Sequence, residues 1–234
     1  MKQSIFTFAL LSFLLTLAAC QPTQKKNEVY TPEKTMPMEL KTFETIKLLT
    51  PDTQGGDALM ATMQNRKSDR EYLSVNLSHK HLSEILWAAN GINRPESGKR
   101  TVPSAMAMYP LSTYAVLSNG IYLYNPEKHE LQPIVEGDYR ELAGIQPFVK
   151  DAPLNLVFIA DYRKYTEGER TLPADYHLYM AALDAGHCTQ NVYLYCASEG
   201  LKTVVRGRAQ NEELLKLLGL EENYQFIVAQ TVGY

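Results

Sequence analysis

Apolar positions along the chain follow two periods, one helical and one alternating, separated by clusters of turn residues. After Ser78, Leu82, Ile85, Leu86 and Ala89 fall at i, i+3, i+4 and i+7, which predicts a helix with one buried face. Ser78 is placed to cap its start, and Asn90-Gly91 its end, with Gly91 as a left-handed cap. His79 and His81, near the start, are expected to be exposed and are assigned no chemistry. A longer helix is predicted over residues 174–199, where Leu178, Ala182, Ala185, Thr189, Val192 and Cys196 recur every three or four positions. Gly186 interrupts it at a cost of roughly 1 kcal/mol against alanine, and Gly200 stops it. A mid-helix glycine signals close approach to the backbone, by a ligand or by a tightly packed neighbouring helix. Shorter helices are predicted over residues 57–64, 138–145 and 211–218, the last capped by Asn211 and stopped by Gly219.

Strands are predicted over residues 113–117, 121–124 and 131–135. Asn119-Gly120 and Asn125-Pro126 turn between them, giving an antiparallel unit. Residues 154–160 form a continuous apolar run, expected to be central in a sheet. Further strands are predicted over residues 202–205 and 224–232, and residues 94–100 are expected to form a loop.

The first 40 residues carry a different pattern. Lys2 precedes an apolar run from residue 5 to 19, too short for a spanning helix, ending Leu17-Ala18-Ala19-Cys20. The run resembles a bacterial lipoprotein signal, implying cleavage before Cys20, lipid on its thiol, and a membrane-anchored protein outside the cytoplasm. An ordinary secretory signal is the alternative. Residues 20–40, rich in Gln, Pro, Thr, Lys and Asn, read as a flexible tether, and residues 41–234 as one domain. Removing residues 1–19 from 234 leaves 215, and the loss of Lys2 moves the formal net charge from −3 to −4. A mildly acidic chain argues against nucleic-acid binding. Cys188 and Cys196 lie eight positions apart on one predicted helix, about 12 Å in rise, so they cannot pair there and read as core thiols. No metal-ligand spacing occurs, nor a Rossmann, P-loop or nucleophile-elbow motif.

Candidate chemistry centres on Asn65-Arg66-Lys67-Ser68-Asp69-Arg70, directly after the first predicted helix. Two guanidinium forks and a hydroxyl within five residues suit a phosphate dianion, although such clusters are more often solvated surface. Thr101-Val102-Pro103-Ser104-Ala105 offers a rigid, small-residue stretch that a planar ligand could approach, or a plain turn.

These pieces, in this order, resemble the nitroreductase family of flavoproteins, and most of all its azoline-dehydrogenase-like branch. The resemblance runs from Arg66 to the C-terminus. It rests on the basic run, Leu86-Trp87-Ala88-Ala89-Asn90-Gly91-Ile92, Arg100 to Ala105, and Gly120-Ile121-Tyr122-Leu123-Tyr124. Asp184-Ala185-Gly186-His187, Gln190-Asn191, Glu199-Gly200-Leu201 and Val232-Gly233-Tyr234 complete it. It implies an α+β fold, a mixed sheet flanked by helices, as an intertwined homodimer with FMN at each interface. Carried over by position, Arg66, Lys67 and Ser68 belong to the phosphate motif, and Arg70 reaches the ribityl chain and the pyrimidine edge. Pro103, Ser104 and Ala105 cover the ring from the other subunit, and Gly186 sets its N–H near flavin N5. Arg206 and Gly207 approach the phosphate. Lys164-Tyr165 resembles a catalytic Lys-Tyr pair, or is an exposed loop pair; proton removal by the lysine requires burial.

The implied activity is FMN-dependent hydride transfer from NAD(P)H or another donor to a small organic acceptor. A flavin-binding lipoprotein without turnover, and a peptide azoline dehydrogenase needing a cyclising partner, are alternatives. Two departures stand out. Met106 replaces a glycine common after Pro-Ser-Ala in this branch. The chain ends at Tyr234 without the basic phosphate ligand that many members carry further on, a role left to Arg206 or Arg208.

Overall fold

The computed structural model describes residues 36–234. The elements in chain order are β1 (Ile46–Lys47), α1 (Leu59–Asn65), α2 (His79–Asn90), β2 (Ile92–Arg94), β3 (Lys99–Arg100), β4 (Leu111–Leu117) and β5 (Gly120–Asn125). They continue as β6 (Glu130–Glu136), β7 (Leu154–Asp161), α3 (Ala174–Glu199), β8 (Lys202–Arg206), α4 (Asn211–Leu217) and β9 (Tyr224–Gly233). The expected signal, Cys20 and most of the tether lie outside the described residues. The tether's last residues are docked: Pro37 bridges Ser78, and Met38 N–H donates to Leu77 O at 3.0 Å.

One seven-stranded sheet runs β1-β6-β5-β4-β7-β9-β8. Its ladders are antiparallel at every described pairing, and this is how the implied mixed sheet is built here. β7 lies inside the sheet between β4 and β9, as its unbroken apolar run requires, and its residues 154–160 are fully buried. Because side chains alternate along a strand, the sheet has two covered faces. On one, Tyr114, Val116, Val157, Ile159 and Phe226 pack under Leu142, Val149 and Leu214. On the other, α2 and α3 cross the strands, tied by Asn90 Nδ2 to Thr113 Oγ1 (3.2 Å) and Gln230 Nε2 to Thr189 O (3.2 Å). The fold is thus α+β, a sheet with helices on both sides.

Several expectations are corrected. Residues 92–100 form the β2–β3 hairpin rather than a loop. The helix expected over 138–145 is a short 3-10 turn, Arg140–Ala143. Asn211 opens α4 instead of capping it; the cap is Gln210, without a side-chain bond. Gly91 is extended (φ −76°, ψ 163°), not left-handed. Its side-chain-free carbon is needed because a Cβ there would strike Trp87 at 2.5 Å. His81 is buried, with Nδ1 3.1 Å from Tyr234 Oη, and burial pushes its pKa below the usual imidazole value.

The bounds of α3 match expectation, but its buried face does so only in part: Ala185, Thr189, Val192 and Cys196 are buried, while Leu178 and Ala182 are not. His177, Ala181, Asp184, Ala185, Cys188, Thr189, Val192, Tyr193 and Cys196 point inward, while Leu178 is exposed. The helix is apolar on nearly every side, so periodicity could select the inner face only in part. Cys188 and Cys196 are free and buried, as expected.

Candidate functional site

The basic run begins where α1 ends: Arg66 N–H closes the helix on Thr62 O at 3.0 Å. From there the backbone turns toward β8, and Asp69 N–H donates to Thr203 O at 3.0 Å. The run, α3 and β8 meet at Tyr193. Its hydroxyl lies 2.8 Å from Ser68 Oγ and accepts Val205 N–H at 3.0 Å. The Arg66 guanidinium carbon sits 5.3 Å from the centre of the Tyr193 ring. When the phenol donates to Ser68, the serine proton is free to point outward, beside Arg66. Lys67 is exposed and pairs with Asp69 at 3.3 Å. Arg70 is exposed and has no hydrogen-bond or ion-pair partner among the described residues. A half-buried guanidinium, an exposed one and a surface hydroxyl therefore share one short segment, a donor set suited to an anion.

Seven residues before Tyr193, about 10 Å along α3, lies Gly186. Two helical turns bring both to nearly the same side of the helix. Gly186 is exposed, and a Cβ added there would meet nothing within 4 Å. Tight packing against another helix of the same chain, one expectation for this glycine, does not occur. Tyr176 (47 % exposed), Tyr179 (59 %) and Leu183 (43 %) precede it at helical spacing, so an open apolar stripe leads up to it.

Pro103, Ser104 and Ala105 come down beside the same helix. Ser104 Oγ donates to Asp184 Oδ2 at 2.6 Å and accepts Tyr109 N–H at 3.0 Å. Asp184 also accepts from the Ala105 backbone, and burial raises its carboxyl pKa above the ordinary value. Beyond Ala105 the backbone is unusual: Met106, Ala107 and Tyr109 have φ of 51°, 58° and 45°. Such left-handed values cost of order 1 kcal/mol or more each for residues other than glycine. Met106, Ala107 and Met108 form one wall of a cavity, with Lys164, Glu167, Glu169 and Arg170 on the other.

Three residues are placed differently from expectation. The Arg206 guanidinium points into the core, donating to Ala143 O (2.6 Å), Asn155 Oδ1 (3.0 Å) and Thr231 Oγ1 (3.0 Å). Burial lowers its pKa to about 10, and it cannot also hold a phosphate. Gly207, next to it, is exposed. Lys164 and Tyr165 part company. Lys164 is exposed, so the burial its proposed role requires is missing. Tyr165 is fully buried, stacked on His177 at 5.0 Å, and its hydroxyl has no hydrogen-bond partner among the described residues. Burial, then the neighbouring Asp184 charge, raise its pKa.

Tyr193 escaped the sequence reading. It lies in an aromatic-rich stretch with Tyr195, and only its two-turn offset from Gly186 could have singled it out.

The Nitroreductase family model matches residues 63–234. A nitroreductase-family protein of Methanocaldococcus jannaschii is 35% identical over 198 residues, 80% of this chain and 92% of that protein. A crystal structure of a nitroreductase-family protein from Ralstonia eutropha superposes with a TM-score of 0.76 at 38% identity, covering 84% of this chain and 91% of that one. A chain of the Escherichia coli microcin synthetase McbBCD complex shares the fold (TM-score 0.60, 20% identity, 94% of this chain and 84% of that chain). The match spans the basic run, the helix bearing Gly186 and six of the sheet's seven strands, so the chain belongs to the nitroreductase family.

Proposed function

We propose that this protein is an FMN-dependent oxidoreductase that passes hydride from NAD(P)H or another donor to a small organic acceptor. Family membership supports the oxidoreductase class. The observation that carries the FMN assignment is the empty space over Gly186, on the same side of α3 as Tyr193 and the Arg66–Ser68 donors. Arg66 and Ser68 would hold the phosphate, with Lys67 adding positive charge nearby, and Arg70 would face the ribityl chain and the pyrimidine edge. Pro103, Ser104 and Ala105 of the other protomer would cover the ring, and the Gly186 backbone would lie against it. Bound FMN supplies two-electron redox chemistry, and this chain contributes binding, orientation and a cation whose charge favours the reduced state. Lys164 has a place on the acceptor side of the cavity as a surface cation rather than as a buried base.

The stripe of Tyr176, Tyr179, Leu183 and Leu178 around Gly186, exposed in one chain, is suited to a second copy, which supports a homodimer with the ring between protomers. The Leu17-Ala18-Ala19-Cys20 run supports anchoring at Cys20 outside the cytoplasm as part of this reading. No helix among the described residues is long and apolar enough to cross a membrane. Intact-mass measurement of the mature protein, with and without Cys20→Ala, tests the anchor.

The deciding experiment is an absorption spectrum of the purified protein, followed by anaerobic NAD(P)H. A flavin band that bleaches supports the enzyme. A band that no donor bleaches favours a flavin carrier, and a colourless protein that refuses added FMN overturns the assignment.

A further inference from the structure

The loop over residues 104–109 is strained and lies next to the proposed ring site. Three of its residues sit at positive φ without being glycine. Strain of this kind persists only where the surroundings over-determine it. The loop's own bonds are few: Ala107 N–H to Ser104 O and Met108 N–H to Ala105 O, each 3.0 Å. These close two tight turns but attach nothing to the rest of the protein. Three further bonds do that: Arg100 N–H donates to Tyr109 Oη at 3.4 Å, and the other two end on one carboxyl. Asp184 takes the Ser104 hydroxyl at 2.6 Å and the Ala105 backbone N–H, and Ser104 Oγ in turn takes Tyr109 N–H at 3.0 Å. The first and last residues of the loop are thus joined through one serine oxygen to α3.

We propose that Asp184 is a positioning residue for the FMN site: its carboxyl latches the left-handed loop 104–109 onto α3, fixing the Pro103, Ser104 and Ala105 wall that the chain presents to its partner's ring. The proposal rests on the FMN reading of the site. Asp184 faces inward, two residues before Gly186, which faces outward, so one stretch of helix carries the floor of one ring site of the dimer and the tie to the wall of the other. The carboxyl is 5 % exposed. Its other charged or ionisable neighbours are Tyr165, His187 and Cys188. A buried carboxyl with only a hydroxyl, a backbone N–H, one imidazole and two weak acids around it is a poor choice for stability alone, because an apolar side chain would avoid its desolvation. The arrangement is explained by what it holds. Asparagine preserves it: its oxygen can take the Ala105 N–H while its NH2 donates to Ser104 Oγ. Alanine does not.

The test compares Asp184→Ala, Asp184→Asn and Ser104→Ala with the wild type and with Val116→Ala. Val116→Ala opens a cavity in the core on the far face of the sheet and serves as a control for lost stability. Two quantities are measured: amide hydrogen exchange at Ala105 and Tyr109 without ligand, and the Kd for FMN by fluorescence quenching. The expected result is exchange at least roughly tenfold faster in the alanine variants, Kd weakened by roughly tenfold, and near-wild-type values in Asp184→Asn. Ser104→Ala keeps the proposal testable should Asp184→Ala fail to fold. Unchanged exchange and Kd in the alanine variants, or equal shifts in Val116→Ala, overturn the proposal. If the wild type takes up no FMN, the flavin reading falls on that result alone, and the exchange rates still decide whether the latch exists.

Discussion

Replacing Tyr193 by phenylalanine removes one oxygen and leaves the ring, so it isolates the hydroxyl that joins Ser68 to Val205. Two hydrogen bonds are lost, at 2.8 Å and 3.0 Å. Each is worth about 0.5–1.5 kcal/mol net, so the folded state should lose about 1–3 kcal/mol. The Val205 N–H is only part-buried and can turn to water, which favours the lower half of that range. The Arg66 contact with the ring survives, because it depends on the aromatic face. The effect on FMN comes through Ser68, whose hydroxyl loses its orienting partner. A hydrogen bond to a charged phosphate is worth about 1.5–3 kcal/mol, so the Kd should rise between roughly tenfold and 150-fold if that bond is lost. Titration of the apoprotein with FMN, followed by fluorescence, measures it. Ser68→Ala should give a similar loss, and the double variant little more, since both changes break one chain of bonds. Strictly additive losses, or a Kd unaffected in Tyr193→Phe, would refute the assignment of Tyr193 as the organiser of the anion site.

Four further outcomes are expected. Gly186→Ala should raise the melting temperature of the apoprotein, by up to about 1 kcal/mol of helix propensity, while weakening FMN binding, because its methyl meets nothing except the ligand's place. Arg206→Met should lower the urea midpoint by the equivalent of about 1–3 kcal/mol, since it orphans Ala143 O and takes one donor each from Asn155 Oδ1 and Thr231 Oγ1, which keep their bond to each other, but leave the Kd of the folded protein unchanged. Met106→Gly should stabilise the protein by about 1 kcal/mol by relieving φ 51°, a gain read as a higher melting temperature. Stability should fall as pH drops through the window from 6.5 down to the depressed pKa values of His81 and His129. There the unfolded chain binds more protons than the folded one, and denaturant titrations at pH 7.5 and 5.5 would show the loss.

Much of the architecture was legible because it rests on local pattern. Asn119-Gly120 and Asn125-Pro126 placed the β4–β6 meander, and the unbroken apolar run of residues 154–160 announced a strand flanked on both sides. The limits of the long helix were written in Ala174 and Gly200. Its inner face was so only in part, because Leu178, Tyr179 and Leu183 are as apolar as the residues that point inward. The anion site was half legible. Arg66, Ser68 and Arg70 advertise themselves by chemistry and spacing. Tyr193 is 125 residues from Ser68, and nothing local marks that encounter. Arg206 misled for the opposite reason: its type suits a phosphate, but whether a guanidinium faces inward depends on Asn155 and Thr231 from other strands. Lys164 and Tyr165 misled because neighbours in sequence, at a 3-10 turn, need not share a side.

The donors of the anion site come from both ends of the domain. Arg66, Ser68 and the 103–105 wall precede the exposed segment around Gly168; Gly186, Tyr193 and Val205 follow it. A protease cut at Gly168 would leave two fragments held by β7–β9 pairing and by α2 against α3. A molecule that grips Ser68 at one end and lies on Gly186 at the other would staple those fragments together. Clipped protein should therefore dissociate in dilute solution more readily when emptied than when loaded, by a factor set by ligand concentration over its Kd.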